Sequence, residues 1–175
     1  MLIGLGSNRG DRIAMMATAI GRLKRAGVSV RGVSPVYLTS PVGVAGQPWF
    51  HNAALAAETR FSPKSLLNLI HSIERGLGRT ARKGWRTIDL DLLLHGSRVV
   101  ADAGCVVPHP RFHERAFALA PAAATAPGAV HPVFSMTVRS LFAALHTRDR
   151  VRRCPRADQR RFRILLGSGG VHGGA

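Results

Sequence analysis

Hydrophobic and polar positions over residues 2–94 follow two periods, one typical of strands and one typical of helices. Apolar runs or alternating patterns that indicate strands cover residues 2–5, 28–37, 50–58 and 87–94. Apolar residues recur every three or four positions from Ile13 to Leu23 and from Leu66 to Leu77, which predicts two helices. Asp11 is placed to cap the first helix, and Pro63 stands in the first turn of the second. The predicted order is therefore strand–helix–strand–strand–helix–strand.

This order predicts the fold class. It is the split βαβ arrangement of an α+β, ferredoxin-like βαββαβ antiparallel sheet with helices packed on one face. A short strand near Val99 and two alanine-rich helical stretches ending near His146 predict an additional C-terminal helical segment. Residues 148–163 carry eight arginines and two aspartates, and residues 167–175 are dominated by glycine. We therefore expect residues 1–147 to form the folded domain and residues 148–175 to form a basic, disordered tail.

The charge of the chain narrows the choice of partner. Its 175 residues include 25 Lys and Arg against 9 Asp and Glu, a formal net charge of +16. All but three of these cations are arginines, whose planar guanidinium groups suit phosphate oxygens, so a polyanionic partner is expected. The chain has no leader pattern and no apolar run of the roughly 18 residues that span a bilayer. With only two cysteines, it is expected to lack disulfides and to be cytoplasmic. We also expect a monomer without membrane contact.

Asp89 and Asp91 form the most informative pattern in the chain. They alternate with Ile88, Leu90 and Leu92. Successive side chains of a strand point to opposite faces, so the two carboxylates share one face, about 6–7 Å apart. Such a pair repels itself unless a cation lies between the carboxylates, and hard divalent metals such as Mg²⁺ prefer oxygen ligands. The alternative is an edge strand that presents both aspartates to water.

Basic residues accompany this acidic pair. The preceding loop carries Arg79, Arg82, Lys83 and Arg86. Guanidinium groups beside a metal site are what phosphoryl transfer requires, and a solvated loop that only pairs with the aspartates is the alternative.

A second basic segment begins at His109, which stands between two prolines. Arg111 and Arg115 come next, four residues apart, at the start of a predicted helix where anions bind favourably. For His109 and His113, a structural hydrogen bond is the alternative.

A flat heterocycle is suggested by Phe50 and Asn52. They share one face of a predicted strand, and an aromatic ring beside a carboxamide suits a ring with amide-like edges. A half-buried strand with a satisfied asparagine is the alternative. The glycines between Gly4 and Gly10 match neither the dinucleotide nor the Walker A spacing, so they predict neither kind of phosphate loop.

Together these segments resemble the 6-hydroxymethyl-7,8-dihydropterin pyrophosphokinase family of folate biosynthesis. The matching segments, in family order over about residues 2–146, are Gly6-Ser7-Asn8, Thr39-Ser40-Pro41 with Gly43, Gln47-Pro48, Phe50 with Asn52-Ala53, Ile73-Glu74 with Gly78-Arg79, Arg86 to Asp91, and Val107 to Arg111 with Glu114 to Phe117. The resemblance implies a catalytic domain over residues 1–147 that transfers pyrophosphate from ATP to the pterin hydroxyl and releases AMP.

The resemblance also implies a role for each matching residue. Two magnesium ions are expected on Asp89 and Asp91, with Arg79 and Arg86 as further catalytic groups and Arg86 stabilising the transferred group. The implied ATP contacts are Leu67, His71, Glu74, Arg79, Arg82, Arg86, His109, Arg111 and Arg115. The implied pterin contacts are Thr39, Val42, Phe50, Asn52, Trp85 and Phe117.

The loop over residues 79–86 departs from the family pattern. It is a few residues short, Ala81 stands where a second arginine is usual, and no Gly-Pro precedes Arg86. A paralogue that acts on a related pterin and a non-catalytic pterin- or nucleotide-binding member therefore stay open as alternatives. A basic ferredoxin-like RNA-binding module is a third alternative. The domain lacks the basic-glycine-aromatic strand motif of such modules, so only the tail is a candidate for binding nucleic acid.

Overall fold

The computed structural model describes residues 1–41, 46–78 and 85–168. Its strands are β1 (Leu2–Ser7), β2 (Ser29–Val33), β3 (Tyr37–Thr39), β4 (Phe50–Glu58), β5 (Asp89–Leu94), β6 (Val100–Asp102), β7 (Cys105–Val107), β8 (Val130–His131), β9 (Met136–Thr137) and β10 (Val151–Arg153). Its helices are α1 (Arg12–Arg25), α2 (Pro63–Gly76), α3 (Ala116–Thr125), α4 (Val138–Ala144) and α5 (Arg156–Ser168), with a 3₁₀ turn over Phe112–Glu114.

The main sheet confirms the ferredoxin-like α+β fold. Its strand order is β10-β3-β4-β1-β5, every neighbouring pair is antiparallel, and β2 pairs with the far end of β4. Residues 28–37 were expected to form one strand, but β2 and β3 are separate. The strand is interrupted over residues 34–36 because Pro35 has no N–H with which to continue the hydrogen-bond ladder.

The main core lies between one face of this sheet and helices α1 and α2. Ile20 of α1, Ile70 of α2 and Leu90 and Leu92 of β5 are buried together there. Asp11 caps α1, as the sequence predicts, since its Oδ1 accepts from the Ala14 N–H at 3.2 Å. The burial of alternate residues in β5 confirms that its aspartates point to the opposite face.

Helices α3 and α4 cover part of that opposite face, so the expectation of helices on one face holds for α1 and α2 only. Ala54 of β4, Leu93 of β5 and Ala118 of α3 belong to this second core. Small side chains on both elements let α3 approach the sheet closely. The first turn of α3 is thereby placed beside Asp91.

Residues 148–168 include a strand and a helix, contrary to the prediction of a disordered tail over residues 148–175, whose last seven residues lie outside the described part of the chain. Strand β10 pairs with β3, and α5 packs on α1 through Phe162, which is only 2% exposed. The Gln159 carboxamide accepts from the Val36 N–H at 2.9 Å and donates to the Val36 carbonyl at 2.6 Å, which satisfies the backbone where β2 and β3 are interrupted. Arg161 also pairs with Asp11. These tertiary partners, which composition does not show, stabilise the segment despite its charge.

Among the described helices, none combines the length and the apolar composition needed to cross a membrane.

Candidate active site

A cavity of about 310 Å³ opens on the sheet face that carries the two aspartates. Strands β1, β4 and β5 form its floor, and the segment leading into α3 forms one wall. Nine of the residues predicted from the sequence line it: Thr39, Phe50, Asn52, Arg86, Asp89, Asp91, Arg111, Arg115 and Phe117. The antiparallel register brings them together, since Asp89 lies opposite Gly6 in β1, and Gly6 in turn lies opposite Asn52 in β4.

Asp89 and Asp91 are the acidic groups of this cavity. Their side chains are 32% and 34% exposed, so both are reachable from the cavity while their backbone is fixed within the sheet. The Arg86 Nε lies 3.9 Å from Asp89 Oδ1, and the His109 Nε2 lies 3.9 Å from Asp91 Oδ1. Each carboxylate therefore has a cation or an imidazole beside it.

His109 lies next to Asp91. Its Nδ1 accepts from the Arg111 N–H at 3.1 Å, so in the neutral ring the proton lies on Nε2, which faces Asp91. Burial lowers the pKa of His109, and the Asp91 charge opposes that shift. A neutral imidazole that donates toward Asp91 is the expected state near neutral pH.

The turn after β1 holds Arg86 in place. The Asn8 N–H donates to the Arg86 carbonyl at 3.0 Å, and Asn8 Oδ1 accepts from the Arg86 N–H at 2.7 Å. The Ser7 hydroxyl donates to the Thr87 carbonyl at 2.6 Å. Ser7 and Asn8 are themselves buried, so the backbone leading into Asp89 is fixed to β1. These contacts give the Gly6-Ser7-Asn8 motif a physical role as a positioning element.

Aromatic rings and a carboxamide line the same cavity, close to the aspartates. Asn52 is 5% exposed, and its Nδ2 donates to the Thr39 hydroxyl at 2.7 Å, which fixes the orientation of the amide. Phe50 lies on the same strand face, and Phe117 lines the cavity from α3. The Arg115 guanidinium sits 5.5 Å from the centre of the Phe117 ring. These groups can hold a flat heterocycle next to the charged side chains.

Comparison with known proteins identifies the family of this chain. The sequence profile of the family described as 7,8-dihydro-6-hydroxymethylpterin-pyrophosphokinase (HPPK) matches residues 2–127. The chain belongs to this family. The HPPK resemblance expected from the sequence motifs is thereby confirmed, and the match includes all nine predicted residues that line the cavity.

Individual relatives support the same assignment. The chain is 42% identical over 146 residues to 2-amino-4-hydroxy-6-hydroxymethyldihydropteridine pyrophosphokinase of Methylorubrum extorquens, covering 82% of this chain and 91% of that protein. A Bacillus subtilis protein of the same name is 44% identical over 124 residues, covering 69% of this chain and 74% of its own. The crystal structure of wild-type Plasmodium falciparum HPPK-DHPS superposes with a TM-score of 0.66 at 14% identity, over 81% of this chain and 44% of that longer chain, which shows the shared fold.

Several residues that the HPPK resemblance implies as ligand contacts are not among the residues that line the cavity. They are Leu67, His71 and Glu74 of α2, together with Trp85 and His109. Glu74 is 1% exposed, and its Oε1 accepts from the Leu90 N–H at 2.9 Å, so it joins α2 to β5 beneath the sheet. The predicted residues Val42, Arg79 and Arg82 lie outside the described part of the chain.

Two glycines of β1 line the cavity, which the sequence motifs did not predict. Gly4 and Gly6 line the cavity between Asn52 and the aspartates. A Cβ on Gly6 would lie 2.9 Å from Asn52 Oδ1, closer than such atoms approach, whereas a Cβ on Gly4 would meet only Leu93 at 3.5 Å. Glycine inside a strand often marks a close approach to other groups, and this signal was available in the sequence.

Proposed function

We propose that this chain transfers the pyrophosphoryl group of ATP to the hydroxymethyl group of 6-hydroxymethyl-7,8-dihydropterin, forming the pterin diphosphate and AMP. One observation supports the proposal: two carboxylates, three arginines, two phenylalanine rings and the Asn52 carboxamide all line a single cavity. A polyphosphate with divalent cations fits the charged groups, and a pterin ring fits the aromatic rings and the carboxamide. Family membership is consistent with both substrates.

Magnesium fits the two carboxylates by their donor type. Asp89 and Asp91 offer hard oxygen ligands from a rigid strand, both side chains are partly exposed to the cavity, and no cysteine is among the described residues that line it. When bound there with ATP, Mg²⁺ supplies positive charge to the phosphate oxygens.

The protein's own groups orient the two substrates. Asn52 and Thr39 form a fixed polar pair for the pterin edge, and Phe50 and Phe117 offer ring surfaces for stacking. Arg111 and Arg115 on the α3 side hold the polyphosphate, while Arg86 approaches from the β5 side. Positioning of this kind removes much of the entropic barrier to a reaction between two molecules.

The reaction forms one bond and breaks one bond at the same phosphorus. The pterin hydroxyl oxygen bonds to the β-phosphorus and loses its proton, and the bond from the β-phosphorus to the oxygen that bridges it to the α-phosphorus breaks, so that AMP leaves. Negative charge increases on that bridging oxygen as the bond breaks. The Arg86 guanidinium, held beside Asp89, stabilises this charge together with the transferred group.

A direct assay tests the proposal. The full chain, incubated with ATP, Mg²⁺ and 6-hydroxymethyl-7,8-dihydropterin, is expected to form AMP and the pterin diphosphate in equal amounts, as measured by chromatography. No AMP with this pterin but AMP with another pterin alcohol would identify a paralogue. Binding of pterin or ATP without any turnover would identify a non-catalytic member.

The RNA-binding alternative is disfavoured by the same cavity. Asp89 and Asp91 lie on the sheet face that such a module uses, where they repel a phosphate backbone in the absence of metal, and α3 covers part of that face. A cytoplasmic location, a monomeric state and the binding of nucleic acid by the basic C-terminal segment stay predictions.

The close packing around Gly6 provides a test of the proposed pterin contacts. Gly6→Ala is expected to raise the KM for the pterin by about tenfold to a hundredfold, because the new methyl group must displace the Asn52 carboxamide from Thr39, and such overpacking costs about 1–3 kcal/mol. The KM for ATP is expected to change much less. Steady-state kinetics with each substrate varied in turn measures both effects.

Gly4→Ala is the matched control for this prediction. It adds the same methyl group on the same face of β1, at an ordinary contact distance from Leu93. It is expected to change either KM by less than about threefold, since the fit around Leu93 costs well under 1 kcal/mol. Equal effects of the two substitutions would refute the role assigned to the Asn52 contact.

A further inference from the structure

Three potential metal ligands lie together on the side of β4 opposite Phe50 and Asn52. They are His51 of β4, Cys154 between β10 and α5, and Asp158 in the first turn of α5. A ring nitrogen of His51, the Cys154 Sγ and a carboxylate oxygen of Asp158 all lie within 4.8 Å of one another. Because successive residues of a strand face opposite sides, His51 points away from the proposed substrate cavity.

We propose that His51, Cys154 and Asp158 form a binding site for a divalent transition metal, best matched by Zn²⁺, with water as the fourth ligand. One thiolate, one imidazole and one carboxylate are ligands that tetrahedral zinc accepts, whereas Mg²⁺ does not favour sulfur. In a tetrahedral site these ligand atoms are roughly 3.3–3.6 Å apart. His51 Nε2 and Asp158 Oδ2 are already 3.8 Å apart, so only small side-chain movements are needed to close the site.

Burial distinguishes this cluster from a chance surface group. His51 and Cys154 are 4% and 5% exposed. His51 Nδ1 is buried without a hydrogen-bond partner among the described residues, and Nε2 is too far from Asp158 to form a normal hydrogen bond. Buried polar groups rarely stay unsatisfied without a reason, and coordination through Nε2 supplies a partner for that nitrogen, while Nδ1 stays without one among the described residues. The Asp158 side chain, at 38% exposed, leaves a path by which the ion enters.

The charges around the cluster suit a dication that binds with loss of one proton. Burial, and next the charge of Arg12, lower the pKa of His51, which keeps its ring neutral and able to coordinate. Burial, and next the Asp158 charge, raise the pKa of Cys154 to about 12, so the thiol is protonated without metal and releases that proton when the metal–sulfur bond forms. The resulting thiolate and carboxylate together balance the two positive charges. Because Arg12 and Arg152 lie nearby and oppose a cation, both anionic ligands are required.

Cobalt provides a spectroscopic probe for this site in the full chain. After treatment with a chelator, titration with Co²⁺ is expected to produce a thiolate-to-cobalt charge-transfer band at one equivalent, and Zn²⁺ is expected to remove it. Co²⁺ bound by the oxygens of Asp89 and Asp91 gives no such band, so the readout separates the two sites. The measurement records no turnover and is therefore independent of the proposed function.

Two cysteine variants locate the ligand. Cys154→Ser is expected to abolish the band, and Cys105→Ser, which removes the other buried free cysteine, is expected to retain it. Absence of the band in the unmodified protein, or its persistence in Cys154→Ser, would overturn the proposal.

Asp158→Asn provides a second test that does not depend on a buried substitution. Since this side chain is partly exposed, the variant is expected to keep its circular dichroism spectrum but to bind Co²⁺ at least about tenfold more weakly, because an amide ligand lacks the charge that offsets the metal. Unchanged affinity in a folded Asp158→Asn protein would remove Asp158 from the site and refute the three-ligand assignment.

Discussion

Asp89→Asn and Asp91→Asn are each expected to lower kcat for AMP formation by about 10³-fold or more. Each substitution keeps the shape of the side chain but removes one of the two carboxylate charges that face the cavity. Metal ions contribute several kcal/mol of charge stabilisation in reactions of phosphates, and each 1.4 kcal/mol changes a rate by about tenfold. The loss is expected at saturating ATP, pterin and Mg²⁺, as measured by the rate of AMP release.

The control for this prediction is Asp102→Asn. Asp102 is exposed at the end of β6, away from the cavity, and its substitution removes the same charge from the chain. We expect its kcat to stay within about twofold of that of the unmodified protein, since exposed charges at a distance are screened. Turnover that survives both Asp89→Asn and Asp91→Asn would contradict the assignment of the metal ligands, whereas a loss in all three variants would indicate a nonspecific effect of net charge.

The part of the fold that could be predicted from sequence is the part governed by local periodicity. The alternation of Asp89 and Asp91 with Leu90 and Leu92 specifies which residues share a face, whatever lies on either side. The bounds of β4, Phe50–Glu58, agree with the predicted strand because its apolar side chains are buried on both sides of the sheet. The interruption of the strand at Pro35 was harder to predict, because the β-branched residues Val33 and Val36 near it favour a strand.

The C-terminal segment could not be predicted because its stability comes from distant partners. Its composition, rich in arginine and poor in apolar residues, is typical of disorder. The structure shows that a few residues suffice when each has a specific partner: Phe162 enters the core beside α1, and Gln159 satisfies both backbone groups of Val36. Those partners lie more than 100 positions away along the chain, as the separation of 123 between Val36 and Gln159 shows.

The candidate site was predictable as a set of residue types but not as an arrangement. Spacing within β5 predicts the carboxylate pair, and the family motifs indicate the pterin residues. The adjacency of Asn52 to Gly6, and of Gly6 to Asp89, depends on the order of strands that are distant in sequence. For Glu74, the motif implies an ATP contact, whereas the structure shows its carboxylate buried under β5 with Oε1 accepting from the Leu90 N–H, so the ATP contact stays a prediction.

Arg86→Ala is expected to lower kcat by about 10²-fold to 10³-fold while the KM for the pterin changes little. The guanidinium lies beside Asp89 in the cavity, where the proposed reaction develops negative charge as the phosphate bond breaks. Loss of one group that stabilises such charge typically costs this much in rate. Arg86→Lys is expected to recover part of the activity, since it keeps the charge but loses the planar fork of donors. Single-turnover measurements of AMP formation separate this effect from product release.

Asn8→Ala tests whether the position of Arg86, as well as its charge, matters for the rate. The substitution removes the Oδ1 acceptor that bonds the Arg86 N–H at 2.7 Å, but it does not remove the guanidinium group. We expect about a tenfold loss in kcat, because small displacements of a charged group reduce its stabilisation of the transition state. For Arg86→Ala, the charge-matched control is Arg98→Ala, at an exposed arginine outside the cavity lining, and it is expected to leave kcat unchanged. If Arg86→Ala behaves like Arg98→Ala, Arg86 binds no reacting group, and the stabilising charge must come from elsewhere in the chain.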